Sequence, residues 1–343
     1  MKLTRLHILL FSGLFLVLIF VFFLNLSLGS IHIPFKDIYN SLVGNGATKS
    51  SWDYIILNYR FPKALTCIAV GIALPLSGLL MQTLFKNPLA EPYVLGISSG
   101  ASLGVSIVIL AGSILPLFLQ EIINNPYAIV IASSLGSLLV LLLVLGVATK
   151  LKQTMAILVV GLMVGSFTAA FVSVLTFFSN AEQIKKFTFW SLGNLGNLDS
   201  ISLKILFTCV IVGVLLALKC IKPLNALLLG DSYAHSLGVN FKTTRLLIIA
   251  ATCILTGSVT AFVGPIAFIG LAVAHITKLI FQTSNHFILY IGCLLLGPTL
   301  LLICDAVSQM PGFDFTLPIN AITSILGAPI VIWLLVRKNN FIS

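Results

Sequence analysis

Apolar stretches long enough to cross a membrane follow one another along almost the whole chain, with only short polar segments between them. A membrane-spanning helix needs about 20 consecutive, predominantly apolar residues. Charged residues make up 8% of the chain, whereas a soluble domain carries about 25%. Too little polar surface remains to face water, so the sequence predicts an all-α, polytopic membrane protein.

The apolar pattern predicts ten transmembrane helices in a single domain, 1–343, with no soluble domain between them. The predicted spans are 6–26, 61–84, 94–115, 127–148, 155–178, 200–219, 244–263, 266–281, 287–307 and 318–336. A segment at 29–59, with a short helix near 34–43, follows the first span. A second polar segment, 182–198, precedes the sixth.

Positive charge collects on one side of the predicted spans. Alternating sides along the chain places 12 Lys and Arg and two acidic residues on the side of segment 227–240, and seven of each on the other side. The net charge of +10 therefore lies on one face. Cytoplasmic loops carry such an excess, so we expect segment 227–240 and both termini in the cytoplasm. This placement argues against nucleic acid as a partner.

Segment 227–240 is a short, semi-polar stretch between two apolar spans. Asp231 is a good N-cap, because its carboxylate can accept hydrogen bonds from the next turn. Gly238 is a good residue to end a helix, because it tolerates the left-handed conformation. A helix of one to two turns is predicted between them, with Ala234 and Leu237 on one face. A helix this short is stable only against another surface; an ordinary connecting loop is the other interpretation.

Small residues recur every four positions in two spans, and a Gly-Pro pair separates two others. Small residues at this spacing let helices approach closely, which favours packing over a direct transport role. The Gly-Pro pair breaks the helix between spans seven and eight, and such breaks occur where backbone is buried or lines a cavity. The positions are Gly96, Gly100 and Gly104, Gly161 and Gly165 with Ser166, and Gly264 with Pro265.

Ordered motifs over nearly the whole chain resemble the FecCD-type permease subunits of ABC importers for iron siderophores, haem and cobalamin. The motifs are Arg60-Phe-Pro-Lys63, Asn87-Pro-Leu-Ala-Glu-Pro92, Leu229-Gly-Asp231, Leu237-Gly-Val239, Gly264-Pro-Ile266, Leu317-Pro-Ile319 and Gly327-Ala-Pro329. Each motif alone is moderately specific, and their order and spacing make the resemblance strong.

The resemblance implies a type II ABC importer permease in the bacterial cytoplasmic (inner) membrane. It implies a homodimer in membrane lipid, with a translocation pathway between the copies that span five and its neighbours line. A separate pair of ATPase subunits would dock on segment 227–240, and a periplasmic or lipid-anchored substrate-binding protein would deliver the ligand. The chain itself would be no enzyme and would hold no cofactor or metal.

The resemblance also assigns candidate residues to each role. For ATPase coupling they are Leu229, Gly230, Asp231, Ala234, Leu237 and Gly238. For the translocation pathway they are Gly96, Gly100, Gly161, Gly165, Ser166, Gly264 and Pro265. For docking of the binding protein they are Arg60, Lys63 and Gln309; snorkelling at a span end is the other interpretation of Arg60 and Lys63.

Three positions depart from the family pattern. Lys63 replaces the common Arg and lacks the planar fork that holds a carboxylate with two bonds. Gln309 stands where an Arg is frequent, so a charged docking contact of the family is replaced by a neutral side chain here. Ala274 stands where Pro is usual before His275, so span eight is expected to be straighter.

Other function classes find little support in the sequence. An ion-driven secondary transporter, the main alternative, usually needs acidic or His relays within the membrane. Asp305 is the one candidate for such a relay, and we expect it at the interface. A membrane-embedded enzyme would need a cluster of polar catalytic residues within the spans, and the sequence shows none there. Residues 44–50 resemble a phosphate-binding loop, but they lack the Gly directly before the Lys. The six cysteines show no CxxC spacing. His275 and His286 lie near the inner ends of spans, where capping or interfacial roles are favoured over metal binding.

Overall fold

The computed structural model describes residues 5–111, 127–150, 154–196, 198–310 and 315–338, and every regular element within these ranges is helical. The α-helices are α1 (Arg5–Ser27), α2 (Phe35–Val43), α3 (Ser50–Ile55), α4 (Phe61–Leu84), α5 (Ile97–Ile109), α6 (Ala128–Lys150), α7 (Thr154–Phe178), α8 (Ala181–Ser191), α9 (Ser200–Leu227), α10 (Asp231–Ser236), α11 (Phe241–Val263), α12 (Ile269–Phe281), α13 (His286–Ser308) and α14 (Ile319–Lys338). A π-helical turn, Ile56–Arg60, joins α3 to α4, and a 3₁₀ turn, Pro92–Leu95, precedes α5.

Long apolar helices dominate the described ranges. Seven of the helices there have the length and composition to cross a membrane. They are α1, the continuous helix Ser50–Leu84, α6, α7, α9, α11 and α13, while α5, α12 and α14 are shorter apolar helices. The prediction of a polytopic all-α protein is confirmed, and the count of ten spans stays a prediction. The end of predicted span three, 112–115, lies outside the described residues.

The segment after α1 has more structure than the sequence predicted. The helix predicted near 34–43 is α2, but residues 50–60 form α3 and the π-helical turn, which run without a break into α4. The hydroxyl of Ser41 donates to Asp53 at 2.5 Å, and the Ala47 N–H donates to the same carboxylate oxygen at 2.8 Å. These contacts hold α2 against α3, and a helix as short as α2 has no stability alone. The contacting residues come from the two sides of a loop, so no local sequence pattern predicts their pairing.

Unit 1, the first of two compact units, comprises Met1–Leu76, Asn194–Thr208 and Ile266–Ser343. In it α1 packs on α13, and α12, α13 and α14 pack on one another. A Cβ atom on Gly71 of α4 would lie 2.6 Å from the Pro298 Cα atom of α13. Only glycine therefore permits this approach of α4 to α13.

Unit 2 comprises Ser77–Gly193 and Cys209–Pro265. Helix α5 packs along α6, and α11 and α7 pack against this pair. Its core is a buried apolar cluster with Met81, Ile97, Val140, Ile157 and Ile249 among its members. The single-domain prediction stays a prediction.

Candidate coupling and docking sites

Helix α9 runs farther than predicted, to Leu227, and the short helix α10 follows after three residues. The N-cap of α10 is Gly230, with φ +100°, and Asp231 is the first helical residue. The prediction of Asp231 as N-cap was therefore wrong by one position. The backbone shows why, because the Ala234 N–H already donates to the Gly230 carbonyl at 3.0 Å. The side chain of Asp231 lies outside the described part of the structure.

The end of α10 is fixed by a glycine in the left-handed conformation. Gly238 has φ +80°, and its N–H donates to the His235 carbonyl at 2.9 Å. The Val239 N–H donates to the Ala234 carbonyl at 3.1 Å. These two bonds form a Schellman motif, which confirms Gly238 as the residue that ends the helix. Asn240 then caps α11 by accepting from the Thr243 N–H at 3.1 Å.

Segment 227–240, from here on the coupling segment, combines one anchor with an exposed apolar surface. Ala234 is fully buried, at 0% exposure. Leu237 is 58% exposed, so the prediction that these two residues share a face was wrong; Leu237 is the C-cap, beyond the last helical turn. The large exposed apolar side chains of the segment are Leu228, Leu229, Tyr233 and Leu237. The charge distribution predicts that this segment lies in the cytoplasm rather than in lipid, where exposed apolar surface favours contact with another protein.

Arg60 is buried, and its guanidinium donates hydrogen bonds to backbone carbonyls of the same chain. Its Nη1 donates to the carbonyls of Leu26 at 2.7 Å and Ser27 at 3.0 Å, and its Nη2 donates to the Ile31 carbonyl. The last carbonyls of a helix lack partners within the helix, and Arg60 supplies them for α1. A docking role for Arg60 stays a prediction. In the structure its guanidinium caps the end of α1.

Lys63 and Gln309 meet at a buried carboxylate. The Lys63 Nζ lies 2.8 Å from Asp305 Oδ1, and the side chains are 21% and 1% exposed. The side-chain amides of Gln309 and Asn25 donate to Asp305 Oδ2 at 2.7 Å and 3.0 Å. We call Lys63, Asp305, Asn25 and Gln309 the Asp305 network. The prediction that Asp305 is exposed at the interface was wrong in its exposure, because the side chain is buried and this network satisfies the carboxylate within the protein.

The glycines predicted at the pathway mostly make close helix contacts. A Cβ atom on Gly96 would lie 3.0 Å from the Gly161 carbonyl oxygen, and one on Gly165 would lie 3.3 Å from the Ser99 hydroxyl. A Cβ atom on Gly100 would clash with the backbone of α6. Packing therefore accounts for the geometry of these positions, as the spacing favoured.

Ser166 and the Gly264-Pro265 break differ from those packing glycines. Ser166 is exposed and donates to the Leu162 carbonyl at 3.1 Å, on a face of α7 that also exposes Met163 and Phe167. Helix α11 ends at Val263 and α12 begins at Ile269, so the predicted break is confirmed. A Cβ atom on Gly264 would lie 2.6 Å from the Trp190 carbonyl oxygen.

The α2–α3 segment, residues 31–59, is tied together through its two carboxylates. The N–H and hydroxyl of Thr48 donate to Asp37 Oδ1, at 2.8 Å and 2.5 Å. The hydroxyl contact is the main cause of the lowered pKa of Asp37. Asp53 fixes α2 to α3, as described above. Sequence reasoning gave no role to these residues, because the bonds join positions 6 to 12 residues apart across a loop.

Residues 17–337 match the FecCD transport family. The chain belongs to the FecCD transport family. The hemin transport system permease protein HmuU of Yersinia pestis is 33% identical over 328 residues, 95% of each chain. The vitamin B12 import system permease protein BtuC of Klebsiella pneumoniae is 34% identical over 284 residues, 82% of each chain.

A solved structure gives the same result for the fold. It is described as an inward-facing, metal-chelate type ABC transporter, and it matches with a TM-score of 0.81 at 26% identity, over 96% of this chain and 99% of that one. The prediction of an ABC importer permease fold is confirmed. The chain is a multi-pass permease of the bacterial inner membrane and is not itself an enzyme.

Proposed function

We propose that this FecCD permease carries a ferric siderophore, haem or cobalamin into the cytoplasm as a homodimer. A separate ATPase pair drives it and a substrate-binding protein supplies it. The names of HmuU, BtuC and the solved transporter support haemin, vitamin B12 and a metal chelate as ligand classes, and a ferric siderophore is one kind of metal chelate. One observation in this chain carries the proposal: the coupling segment presents exposed apolar side chains on a helix that is fixed at both ends.

The coupling segment suits contact with a moving partner. Ala234 anchors α10 to the permease, and Tyr233 and Leu237 remain available to an ATPase surface. Three residues join α10 to α9 and four join it to α11. Because these connections are short, α10 has little freedom to move independently. A displacement of α10 would therefore move both α9 and α11. Leu229, Gly230, Asp231 and Gly238 complete the proposed contact.

The binding protein would dock at the outer membrane face, where the distribution of Lys and Arg along the sequence places Lys63 and Gln309. Lys63 keeps part of its surface exposed while it pairs with Asp305. Arg60 would support this face by fixing the end of α1, and its predicted contact with the binding protein belongs to this proposal. Both termini would lie in the cytoplasm, as the distribution of Lys and Arg indicates.

The translocation pathway would form between two copies along the exposed face of α7. Ser166 lies on this face, whereas Gly96, Gly100 and Gly161 would hold α5, α6 and α7 together behind it. A pathway of this kind needs no charged residues. An ion-driven transporter is disfavoured, because Asp305, the one carboxylate considered for a relay, is already paired with Lys63.

Reconstitution tests the proposal. The permease is placed in proteoliposomes with its ATPase subunits inside and its binding protein outside, and uptake of haemin, cyanocobalamin and a ferric hydroxamate is measured. We expect uptake of one ligand class, only with hydrolysable ATP and the binding protein present. A non-hydrolysable ATP analogue is the control. Uptake by the permease alone, driven by an ion gradient, would contradict the proposal.

A further inference from the structure

The second half of α9 combines an exposed apolar face with two exposed lysines. We propose that this half of the helix is a binding site for an anionic phospholipid, in which Lys219 and Lys222 bind the lipid phosphate and the acyl chains lie along the apolar face. We call it the α9 lipid site. The proposal goes beyond the transport function, since neither the transported ligand nor a protein partner enters it.

Helix α9 turns an apolar face away from the rest of the protein. Only 28% of its most apolar stretch is buried, against 67% in α11. Ile211, Leu215 and Leu218 are each about half exposed, at 55%, 54% and 45%. They follow one another at intervals of four and three residues and therefore share one face of the helix. Lipid tails are as apolar as leucine, so this face suits an acyl chain.

Two lysines stand where the apolar face ends. Lys222 follows Leu218 by four residues and continues the same face, and Lys219 lies one turn before it. Both side chains are exposed. Neither ammonium group pairs with a carboxylate among the side chains that the structure describes. Both positive charges are therefore available to an anion.

The charge balance of the surrounding chain also favours an anion. Helix α9 contains no Asp or Glu. From position 219 to position 245 the chain carries four Lys and Arg and a single carboxylate, Asp231, which leaves a net charge of +3. Asp231 follows Lys222 by nine residues and belongs to the next helix, α10. The positive charge at this end of α9 is thus not cancelled along the chain.

The position of the lysines along α9 matches the phosphate level of a bilayer. The helix has 28 residues and is about 42 Å long, which exceeds a hydrocarbon core of about 30 Å. Lys219 and Lys222 lie about 29 and 33 Å from its first residue, Ser200. Long lysine side chains extend to the membrane interface from such positions. The distribution of Lys and Arg predicts that this interface is the cytoplasmic one, so the lipid belongs to the inner leaflet.

The ATPase and a second copy of the chain fit this site less well. The large exposed apolar side chains of the coupling segment begin at Leu228, about 9 Å beyond Lys222, which separates the proposed ATPase contact from the lysines. A two-fold interface on this face would bring the lysines of one copy to those of the other, and like charges placed together cost free energy. An anionic phospholipid matches both the apolar face and the cations.

Native mass spectrometry of the permease–ATPase complex, released from detergent micelles, tests the inference. The complex is titrated with dioleoylphosphatidylglycerol, and dioleoylphosphatidylcholine is the neutral lipid with the same chains. We expect the tightest phosphatidylglycerol sites to bind at least tenfold more tightly than phosphatidylcholine. Lys219→Gln or Lys222→Gln should weaken these sites about fivefold, and the double variant about 30-fold.

Matched variants separate the site from general effects of charge. The double variant Lys219→Arg/Lys222→Arg keeps both charges and should keep the affinity for phosphatidylglycerol. Lys204→Gln removes an exposed lysine near the other end of the same helix and should bind like the wild type. Each variant should keep the wild-type melting temperature in phosphatidylcholine, because exposed substitutions cost little stability. Equal phosphatidylglycerol binding by the wild type and the double Gln variant would overturn the inference.

Two further measurements identify the occupant. Glycerol 3-phosphate carries the phosphate without acyl chains, and we expect it not to displace phosphatidylglycerol; displacement at an equal concentration would overturn the assignment to lipid. The affinity of the double Gln variant for the ATPase should equal that of the wild type. A variant that loses ATPase affinity and keeps its affinity for phosphatidylglycerol would place the lysines in the ATPase interface and overturn the inference.

Discussion

The Asp305 network of unit 1 buries its charges, whereas the coupling segment of unit 2 exposes its apolar side chains. In the first region, Lys63 and Asp305 lie on different helices and satisfy each other in the interior. In the second, one small residue, Ala234, is buried, and larger neighbours such as Tyr233 and Leu237 face outwards. In the Asp305 network, charged side chains hold helices of the same chain together. In the coupling segment, exposed apolar side chains are proposed to contact a partner.

This difference separates stability from function in the two regions. Removing one member of a buried ion pair leaves an uncompensated charge and is costly. Removing an exposed apolar side chain costs the isolated protein little but removes binding energy in a complex. The two regions should therefore respond oppositely to substitution.

The largest expected effect is the loss of stability in Lys63→Met. Asp305 would stay buried without its cation, at a cost of about 3–5 kcal/mol. Thermal unfolding of the detergent-solubilised permease, followed by tryptophan fluorescence, measures the loss. The double variant Lys63→Met/Asp305→Asn should recover most of it, because the carboxylate charge is gone. A single variant as stable as the wild type would show that the pair contributes nothing.

Tyr233→Ala and Leu237→Ala should leave the melting temperature unchanged and weaken ATPase binding. Truncation of a central interface residue costs about 2 kcal/mol, or roughly 30-fold in affinity. Association of the purified ATPase with permease nanodiscs gives the affinity. Leu16→Ala, an exposed position on α1, is the control. Unchanged affinity in both variants would remove the coupling segment from the interface.

Gly238→Ala should have a moderate effect that is specific to the coupling segment. An alanine at φ +80° is strained, at a cost of about 1 kcal/mol, and the end of α10 should fray. Hydrogen exchange of the α10 amides should become faster. Gly13→Ala is the matched control, since Gly13 lies in α1 and a Cβ atom added there would meet nothing within 4 Å. Equal exchange in the two variants would contradict the role given to Gly238.

The smallest expected effect is a pH dependence from the α2–α3 segment. The pKa of Asp37 is lowered chiefly by the Thr48 hydroxyl, so the folded state holds this proton more weakly than the unfolded state. The resulting stability is present at neutral pH and is lost as the pH falls below the ordinary aspartate pKa. Thr48→Val should reduce the acid sensitivity of the melting temperature. The same pH profile in the variant and the wild type would show no contribution from this pair.

Local sequence signals predicted the elements that depend on local physics. The span 61–84 coincides with α4, the short helix near 34–43 is α2, and Gly238 ends α10 as its conformational freedom suggested. The partners of Arg60 and Asp305 were missed for the opposite reason. Lys63 and Asp305 are 242 residues apart, and two of the three carbonyls that Arg60 binds belong to the end of α1. Only packing of the helices brings such groups together, so no local pattern reveals whether a cation near a span end serves a partner or the interior.

Photocrosslinking from the coupling segment tests the central claim most directly. A benzoylphenylalanine replaces Leu237, or Tyr54 as the contrasting position, in the permease assembled with its ATPase and binding protein. The account predicts an adduct with the ATPase from position 237 and none with the ATPase from position 54. An ATPase adduct from position 54, or none from position 237 in a complex that hydrolyses ATP, would contradict it.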